Sequence, residues 1–139
     1  MVRSGVDILE IERVDRAILR HGDRFFDRFY TAQELIDCQG HTPALAARLA
    51  CKEAVAKALG TGIGVVGWKE IEIVTGPRRE PLLRLHGAAQ REARRQGLAA
   101  WCVSLSHTHE HAVAVAVALE TPRPSGGKGR GRRQDWARS

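Results

Sequence analysis

Two charged side chains on one predicted helix have the types and spacing of a phosphate-handling site. Glu53 and Lys57 stand four residues apart in RLACKEAVAKALGTGIG, positions 48–64. At about 100° per residue they project from neighbouring positions, beside the small residues Ala46 and Ala50. This arrangement predicts a shallow surface that something other than a side chain can occupy. The alternative is an ordinary Glu–Lys pair that stabilises the helix by a few tenths of a kcal/mol.

Asp7 is a carboxylate flanked by the apolar residues Val6 and Ile8, near the point where a predicted strand gives way to a helix. Burying an unpaired carboxylate is costly, so Asp7 requires a cation or hydrogen-bond donors nearby. A Mg²⁺ ion held by Asp7 and Glu53 would meet this requirement, because magnesium commonly takes one or two carboxylates together with water and substrate phosphates. Lys57 would then neutralise a phosphate oxygen. The three residues together favour a magnesium-dependent phosphate site.

The glycine-rich run GTGIG follows the helix and contains Gly60, Thr61, Gly62 and Ile63. It stands at a helix C-terminus, which is the wrong end of the helix dipole for an anion. Its glycines can still let the backbone approach a ligand closely or form an anion-binding nest. The alternative is that the run does no more than end the helix.

The elements that position these residues form an α+β pattern in a single domain. A strand is predicted over 2–11, and helices fill the first third, one of them opened by a capping box of Thr31 and Glu34. Thr42 as N-cap and Pro43 as the first helical residue open the longest helix. A hairpin, a short helix and two final strands joined by HTHE follow. We predict an antiparallel sheet packed on one long central helix, over residues 1–120.

The basic charge of the chain is concentrated in its last segment. The formal net charge is +6, but residues 121–139 carry six basic residues and one acidic residue. This Gly/Arg/Pro-rich tail cannot form a core, and we expect a disordered extension. A contact arm for nucleic acid is the alternative.

Compartment and redox state follow from what the sequence does not contain. The chain has no apolar run long enough to span a membrane and no signal-peptide pattern at its start. Its three cysteines are odd in number and share no CxxC spacing, so they suggest neither disulfides nor a cysteine metal site. We therefore expect a cytoplasmic protein.

Four motifs in order resemble one known family. They are GVDILEIERV, FxxRFYTxxEL, RLACKEAVAKALGTGIG and VSLSHT. In this order and spacing they resemble the holo-acyl-carrier-protein synthases, the short class of 4′-phosphopantetheinyl transferases, over roughly residues 3–119. The resemblance implies a 4′-phosphopantetheinyl transferase-like fold and a Mg²⁺-dependent transfer of the 4′-phosphopantetheine arm. The arm passes from coenzyme A to a serine of an apo acyl carrier protein, releasing adenosine 3′,5′-bisphosphate.

The resemblance also implies roles for individual residues. Asp7 and Glu53 would be the metal ligands, and Lys57 would contact the pyrophosphate. Glu53 is also the candidate for helping to remove the proton of the attacking serine. The remaining coenzyme A candidates are Arg48, Gly60, Thr61, Gly62, Ile63, His107 and Thr108. Family members are usually homotrimers with each active site between neighbouring subunits.

His107, His109 and His111 occupy every second position, which on a strand would gather them on one face as in a zinc site. The segment is instead predicted to be a turn, where this alternation breaks. We expect His109 and His111 to be exposed or to start a strand.

Five arginines recur at intervals of three and four residues: Arg13, Arg16, Arg20, Arg24 and Arg28. A helix break near residue 22 would divide them, and a solvated face is one interpretation. The other is a docking surface for an acidic partner, for which arginine suits carboxylate recognition. In the family this first helix binds the acidic carrier protein, which favours Arg13 and Arg16.

Two rival functions remain. A different Mg²⁺-dependent phosphohydrolase would use the same carboxylates but would release phosphate without a carrier. A nucleic-acid-binding module acting through the tail is disfavoured because the folded part lacks a basic patch with interleaved aromatics.

Overall fold

The structure is a computed structural model that describes residues 1–121. The prediction of a disordered tail therefore lies outside the described residues, except for Thr121. The helices are α1 (Ile11–His21), α2 (Asp23–Phe29), α3 (Ala32–Cys38), α4 (Thr42–Leu59) and α5 (Gly87–Arg95). The strands are β1 (Val2–Glu10), β2 (Ile71–Thr75), β3 (Pro81–Leu85), β4 (Leu98–His107) and β5 (His111–Glu120), and a 3-10 turn spans Trp68–Glu70. The predicted α+β class is confirmed.

The strands form two antiparallel sheets rather than one. β1, β5 and β4 pair in that order, and β2 pairs with β3 as a hairpin. In the larger sheet Asp7 is opposite Ala114, and Ala114 is opposite Leu105. The larger sheet therefore presents Asp7 from an edge strand.

The period-two alternation of HAVAVAVALE divides the larger sheet into a small-residue face and a large-residue face. Ala112, Ala114, Ala116 and Ala118 are fully buried, while Val115 and Leu119 are 40% and 48% exposed. The alanine face packs on α4, since small side chains on both elements let helix and sheet approach closely. The larger apolar side chains point away from this chain's own core.

The central helix α4 runs for 18 residues and is buried on most of its surface. Its N-cap is His41, with extended backbone, and Thr42 is already helical; the predicted N-cap was wrong by one residue. The predicted stop is confirmed: Gly60 adopts φ 77°, and its N–H bonds to the carbonyls of Ala56 and Lys57. A left-handed residue at this position favours glycine.

After β1 the first third of the chain is helical, as predicted. Gly22, with φ 53°, separates α1 from α2, which confirms the expected break. The capping box is present: Glu34 N–H donates to the Thr31 hydroxyl, and Thr31 N–H donates to Glu34 Oε1. Among residues 1–121, no helix combines the length and the apolar character needed to cross a membrane.

Candidate active site

Asp7, Glu53 and Lys57 meet where β1 crosses α4. Lys57 Nζ lies 2.9 Å from Asp7 Oδ1 and also donates to the carbonyl of Val6 at 3.0 Å. Asp7 is not at the end of its strand, as the sequence suggested, because β1 continues for three residues to Glu10. Within the described residues Lys57 pairs with Asp7 on another element, so the simple one-turn Glu–Lys pair is not the arrangement found.

Glu53 shares this site with Asp7 as a second carboxylate. Partial burial is the largest cause that raises the pKa of Glu53, followed by the charge of Asp7 and a hydrogen bond with it. Lys57 and Arg13 lower that pKa, and the hydrogen bond to Asp7 raises the pKa of Lys57. Two acids this close favour either a shared proton or a cation between them.

The free surface predicted beside Ala46 and Ala50 is not there. Both residues are fully buried, in clusters that include the alanine face of the larger sheet. The space that their small side chains leave is filled by β-strands of the same chain. This close packing of the strands on α4 brings Asp7 to the helix rather than opening a pocket beneath Glu53.

The segment Gly60–Ile63 begins one turn beyond Lys57. The amides of Thr61 and Gly62 both point back to the carbonyl of Ala56, at 3.3 Å. Gly60 and Thr61 line a cleft of about 840 Å³ that also contains Arg3. This segment is therefore joined directly to the helix that carries Glu53 and Lys57.

Arg48 lies on a different side of α4. Its Nε donates to the Ile73 carbonyl at 3.2 Å, and its Nη2 donates to the Thr75 hydroxyl at 2.8 Å. A cleft of about 240 Å³ beside it is also lined by Arg79 and Ser104. The structure does not bring Arg48 to the carboxylate pair.

His107 and Thr108 lie at the other end of α4 from Gly60. The ring of His107 is 6.2 Å from that of His41, the N-cap of α4. The Thr108 hydroxyl accepts the amides of Glu110 and His111 and so closes the turn between β4 and β5.

His109 is exposed and His111 begins β5, as expected. In the described part of the chain, no three His, Cys, Asp or Glu side chains are gathered to hold a metal ion. The alternating histidines therefore do not form a zinc-type cluster.

The five predicted arginines are all exposed. Arg13, Arg16 and Arg20 lie on α1, whereas Arg24 and Arg28 lie on α2, beyond the break at Gly22. A shallow depression of about 670 Å³ on α1 contains the first three and Leu19, which is 87% exposed. Because Arg13 acts on the charge of Glu53, this surface adjoins the carboxylate pair.

Sequence reasoning missed a buried ion pair behind the site. Lys52 Nζ lies 2.7 Å from Glu34 Oε1, and both side chains are 0% exposed. The signal was available: around the helix Lys52 falls in the middle of the apolar arc that contains Leu45, Leu49 and Leu59.

Comparison with known proteins gives one consistent result. The model of the 4′-phosphopantetheinyl transferase superfamily matches residues 3–116. A holo-[acyl-carrier-protein] synthase of Herpetosiphon aurantiacus is 46% identical over 115 residues, which cover 78% of this chain and 91% of that protein.

Solved structures agree in fold. The holo-[acyl-carrier-protein] synthase of Neisseria meningitidis superposes with TM-score 0.78 at 32% identity, covering 86% of this chain and 99% of that one. That of Helicobacter pylori, in complex with coenzyme A, gives TM-score 0.77 at 30% identity and covers 86% and 100%. The chain thus belongs to the 4′-phosphopantetheinyl transferase superfamily, as an enzyme of the holo-[acyl-carrier-protein] synthase family.

Proposed function

We propose that the chain transfers the 4′-phosphopantetheine arm of coenzyme A to a serine of an apo acyl carrier protein in a Mg²⁺-dependent reaction. The products are the holo carrier protein and adenosine 3′,5′-bisphosphate. The observation that carries this proposal is the cluster of Asp7, Glu53 and Lys57, two carboxylates and one ammonium where β1 crosses α4. The coenzyme A bound to the Helicobacter pylori relative supports the same substrate here.

The acidic pair fits a magnesium ion. Burial first, and then the charge of Asp7, raise the pKa of Glu53, and a divalent cation would offset both the burial and the repulsion between the two carboxylates. Two carboxylates also match the number that magnesium takes when substrate phosphates supply further ligands. When bound, the ion would neutralise charge on the pyrophosphate.

The residues of the chain suffice for the rest of the chemistry. The serine oxygen forms a bond to the β-phosphorus of coenzyme A, and the bond from that phosphorus to the bridging oxygen breaks. Adenosine 3′,5′-bisphosphate leaves with the bridging oxygen. Lys57, 53% exposed, can turn from Asp7 to the pyrophosphate, and Glu53 would accept the serine proton. Positioning and charge neutralisation supply most of the catalysis in such transfers.

The coenzyme A candidates are divided between the two ends of α4. Gly60, Thr61, Gly62 and Ile63 follow its C-terminus, while His107 and Thr108 lie by its N-terminus. These ends are separated by about 27 Å for 18 residues at about 1.5 Å each. We propose that one coenzyme A molecule contacts the first group on one subunit and the second, with Arg48, on a neighbour.

A homotrimer would bring the two groups together. The outer face of β1 and β5 supports self-association, because it carries Val2, Val6, Ile8, Val115 and Leu119 at 40–64% exposure. Side chains of this kind contiguous on one sheet face mark an interaction surface. A second and third copy of the chain are the occupants that the split site requires.

The carrier protein is proposed to dock on α1. Arg13, Arg16 and Arg20 present guanidinium groups around the exposed Leu19, and Arg24 and Arg28 extend the basic surface onto α2. Acidic partners are attracted to such a surface and oriented by it. Its position beside Glu53 would bring a docked serine to the carboxylate pair.

We further propose that the enzyme acts in the cytoplasm and that its carrier serves fatty acid biosynthesis. Cys38, Cys51 and Cys102 are free thiols, as expected in a reducing compartment. A polyketide carrier is the alternative substrate. Parallel assays with apo carriers of both kinds distinguish them.

The test is to incubate the protein with coenzyme A, Mg²⁺ and an apo acyl carrier protein and to follow the carrier by mass spectrometry. We expect a mass gain of one phosphopantetheine arm, abolished by Glu53→Ala and retained by Asp37→Ala, which removes a carboxylate on α3 that accepts the Gln33 amide. An undiminished gain with Glu53→Ala would sink the proposal. Phosphate release without a carrier would favour the phosphohydrolase, and loss of nucleic-acid retention on deleting residues 121–139 would favour the binding module.

A further inference from the structure

Lys52 is a buried cation, and each of the three N–H groups of its ammonium has a hydrogen-bond acceptor. Its ammonium donates to Glu34 Oε1 at 2.7 Å, to the Trp68 carbonyl at 3.0 Å and to the Ile71 carbonyl at 2.6 Å. Three acceptors match the three donors of a charged lysine. Since the side chain is 0% exposed, it cannot touch a substrate.

The two carbonyls that Lys52 binds lie just beyond the far end of the glycine-rich segment, at the start of the 3-10 turn and at the start of β2. This segment, residues 60–67, leaves α4 at Gly60 and returns at Trp68, where the 3-10 turn starts. Gly60 fixes the first end through its bonds to the helix carbonyls. Lys52 fixes the second end to the same helix, about two turns earlier.

The carboxylate of Glu34 holds Lys52 in this position. Its Oε1 also accepts the amide of Thr31, and its Oε2 accepts the amide of Ile73 at 3.0 Å. Burial lowers the pKa of Lys52, and Glu34 opposes that effect. The pair therefore ties α3, α4 and β2 together as one hydrogen-bonded unit.

The amides of Thr61 and Gly62 still bond back to Ala56, and the Gly67 amide bonds to Glu70, but residues 63–66 between them make few bonds of their own. Gly64 N–H donates to the Val66 carbonyl at 3.0 Å, and Val66 is buried, whereas Val65 is 69% exposed. Three of its glycines, at 60, 62 and 64, have φ values of 67–122°. Such a segment takes its shape mainly from where its ends are held.

We infer that Lys52 is a positioning residue: by binding the Trp68 and Ile71 carbonyls it holds residues 60–67 in the shape that receives coenzyme A. The identity of the ligand, coenzyme A, rests on the proposed function. The bonds from Lys52 to the Trp68 and Ile71 carbonyls, which tether the segment to α4, do not depend on it. Lys52 acts through the backbone that it fixes, one residue away from Glu53 but on another side of α4.

The test compares Lys52→Met with Cys51→Ala. Cys51 is also fully buried on α4, and its truncation removes packing without cutting a bond to the segment. In Lys52→Met we expect amide hydrogen exchange at Gly64, whose N–H bonds only within the segment, to rise well beyond the change in global stability. We expect coenzyme A to bind about tenfold more weakly by titration calorimetry, because misplaced contacts lose affinity steeply. Cys51→Ala should change exchange only in step with stability.

A second variant guards against simple misfolding. Lys52→Met/Glu34→Gln removes the unpaired buried charge but does not restore the bonds to Trp68 and Ile71. We expect it to regain stability while coenzyme A binding stays weak. If affinity and exchange recover together with stability, the role is merely structural and the inference fails. If the wild-type chain does not bind coenzyme A, the proposed function fails. The hydrogen-exchange measurement alone still shows whether Lys52 holds residues 60–67 in place.

Discussion

Gly5 of β1 lies directly against the Ala54 carbonyl of α4: a Cβ on Gly5 would overlap that oxygen and stand 3.0 Å from the Ala58 amide nitrogen. No side chain fits between strand and helix at this point, so only glycine allows the approach. Two residues further along β1 is Asp7, whose partner Lys57 lies on the same helix. The glycine of the GVD motif thus sets the distance at which the site residues meet.

Gly5→Ala should therefore damage both stability and the site. Forcing a methyl group into this contact is expected to cost about 1–3 kcal/mol of the free energy of unfolding, as for overpacked cores. It should also move Asp7 away from Glu53 and reduce the transfer rate. Urea denaturation and the carrier mass assay measure the two effects. Ala32→Ser, exposed at the start of α3, is the control and should change neither; a fully active Gly5→Ala would contradict this expectation.

Glu53 should make stability and Mg²⁺ binding depend on pH. Its pKa is raised in the folded chain above the ordinary value of 4.5. The folded state then binds the proton more tightly, so the stabilisation is complete below pH 4.5 and is lost as pH rises through the folded pKa. Metal binding requires ionised carboxylates, so Mg²⁺ affinity should rise over the same window.

Urea denaturation across this pH window, with and without Mg²⁺, measures both trends. Glu53→Gln should remove the pH-dependent loss of stability in the absence of metal. Asp7→Asn should lower the pKa of Glu53, followed by carbon-13 NMR, but not to its ordinary value, because burial is the larger cause. An unchanged Glu53 titration in Asp7→Asn would show that the two carboxylates do not interact.

The sequence predicted the elements well because their signals are local. Gly60 as a helix stop, the capping box at Thr31 and the alternation in β5 each depend on neighbours in the chain. The contacts that organise the site are not local. Lys57 reaches Asp7 across 50 positions and Lys52 reaches Glu34 across 18.

The sequence did not predict which face of each element is buried. The alternation of Ala and Val in β5 predicts a strand but suits either face, and hydrophobicity alone would favour burying the valines. The structure buries the alanines because α4 approaches too closely for larger residues. For the same reason Ala46 and Ala50 are covered rather than open, and the site is carried by charged residues at the margin of this contact.

Lys57 should be needed for the rate and not for the fold. It is 53% exposed, so Lys57→Met is expected to change stability little, like other surface substitutions. Loss of a charge aimed at the pyrophosphate should lower kcat about 100-fold. Lys57→Arg keeps the charge but not the geometry, so its kcat should lie between those of the wild type and Lys57→Met. Steady-state kinetics at saturating Mg²⁺ checks this, and an unchanged kcat in Lys57→Met would remove Lys57 from the reaction.

Arg16→Glu should weaken the encounter with the carrier protein. Arg16 is exposed on α1, and reversing its charge is expected to lower kcat/KM for the carrier about tenfold through KM, with a weaker dependence on salt. Arg13 is a poorer choice for this test, since its charge also acts on Glu53. Arg91→Glu on α5 is the matched control. Equal effects of the two reversals would point to net charge rather than to a docking surface.

Val115→Asp should separate the subunits and expose how the active site is divided. Val115 is opposite Val6 on the apolar outer face of the larger sheet, where the two side chains are 40% and 56% exposed. A carboxylate in the centre of an interface would be desolvated without a partner, so we expect the mass found by light scattering to fall from that of three chains to that of one. Transfer activity should fall with it, because the proposed coenzyme A site takes Gly60 from one chain and His107, at the opposite end of α4, from another. Ile36→Asp, on α3 and 65% exposed, adds the same charge elsewhere and should leave both assembly and activity intact. A Val115→Asp monomer that retained full activity would show that each chain holds a complete site.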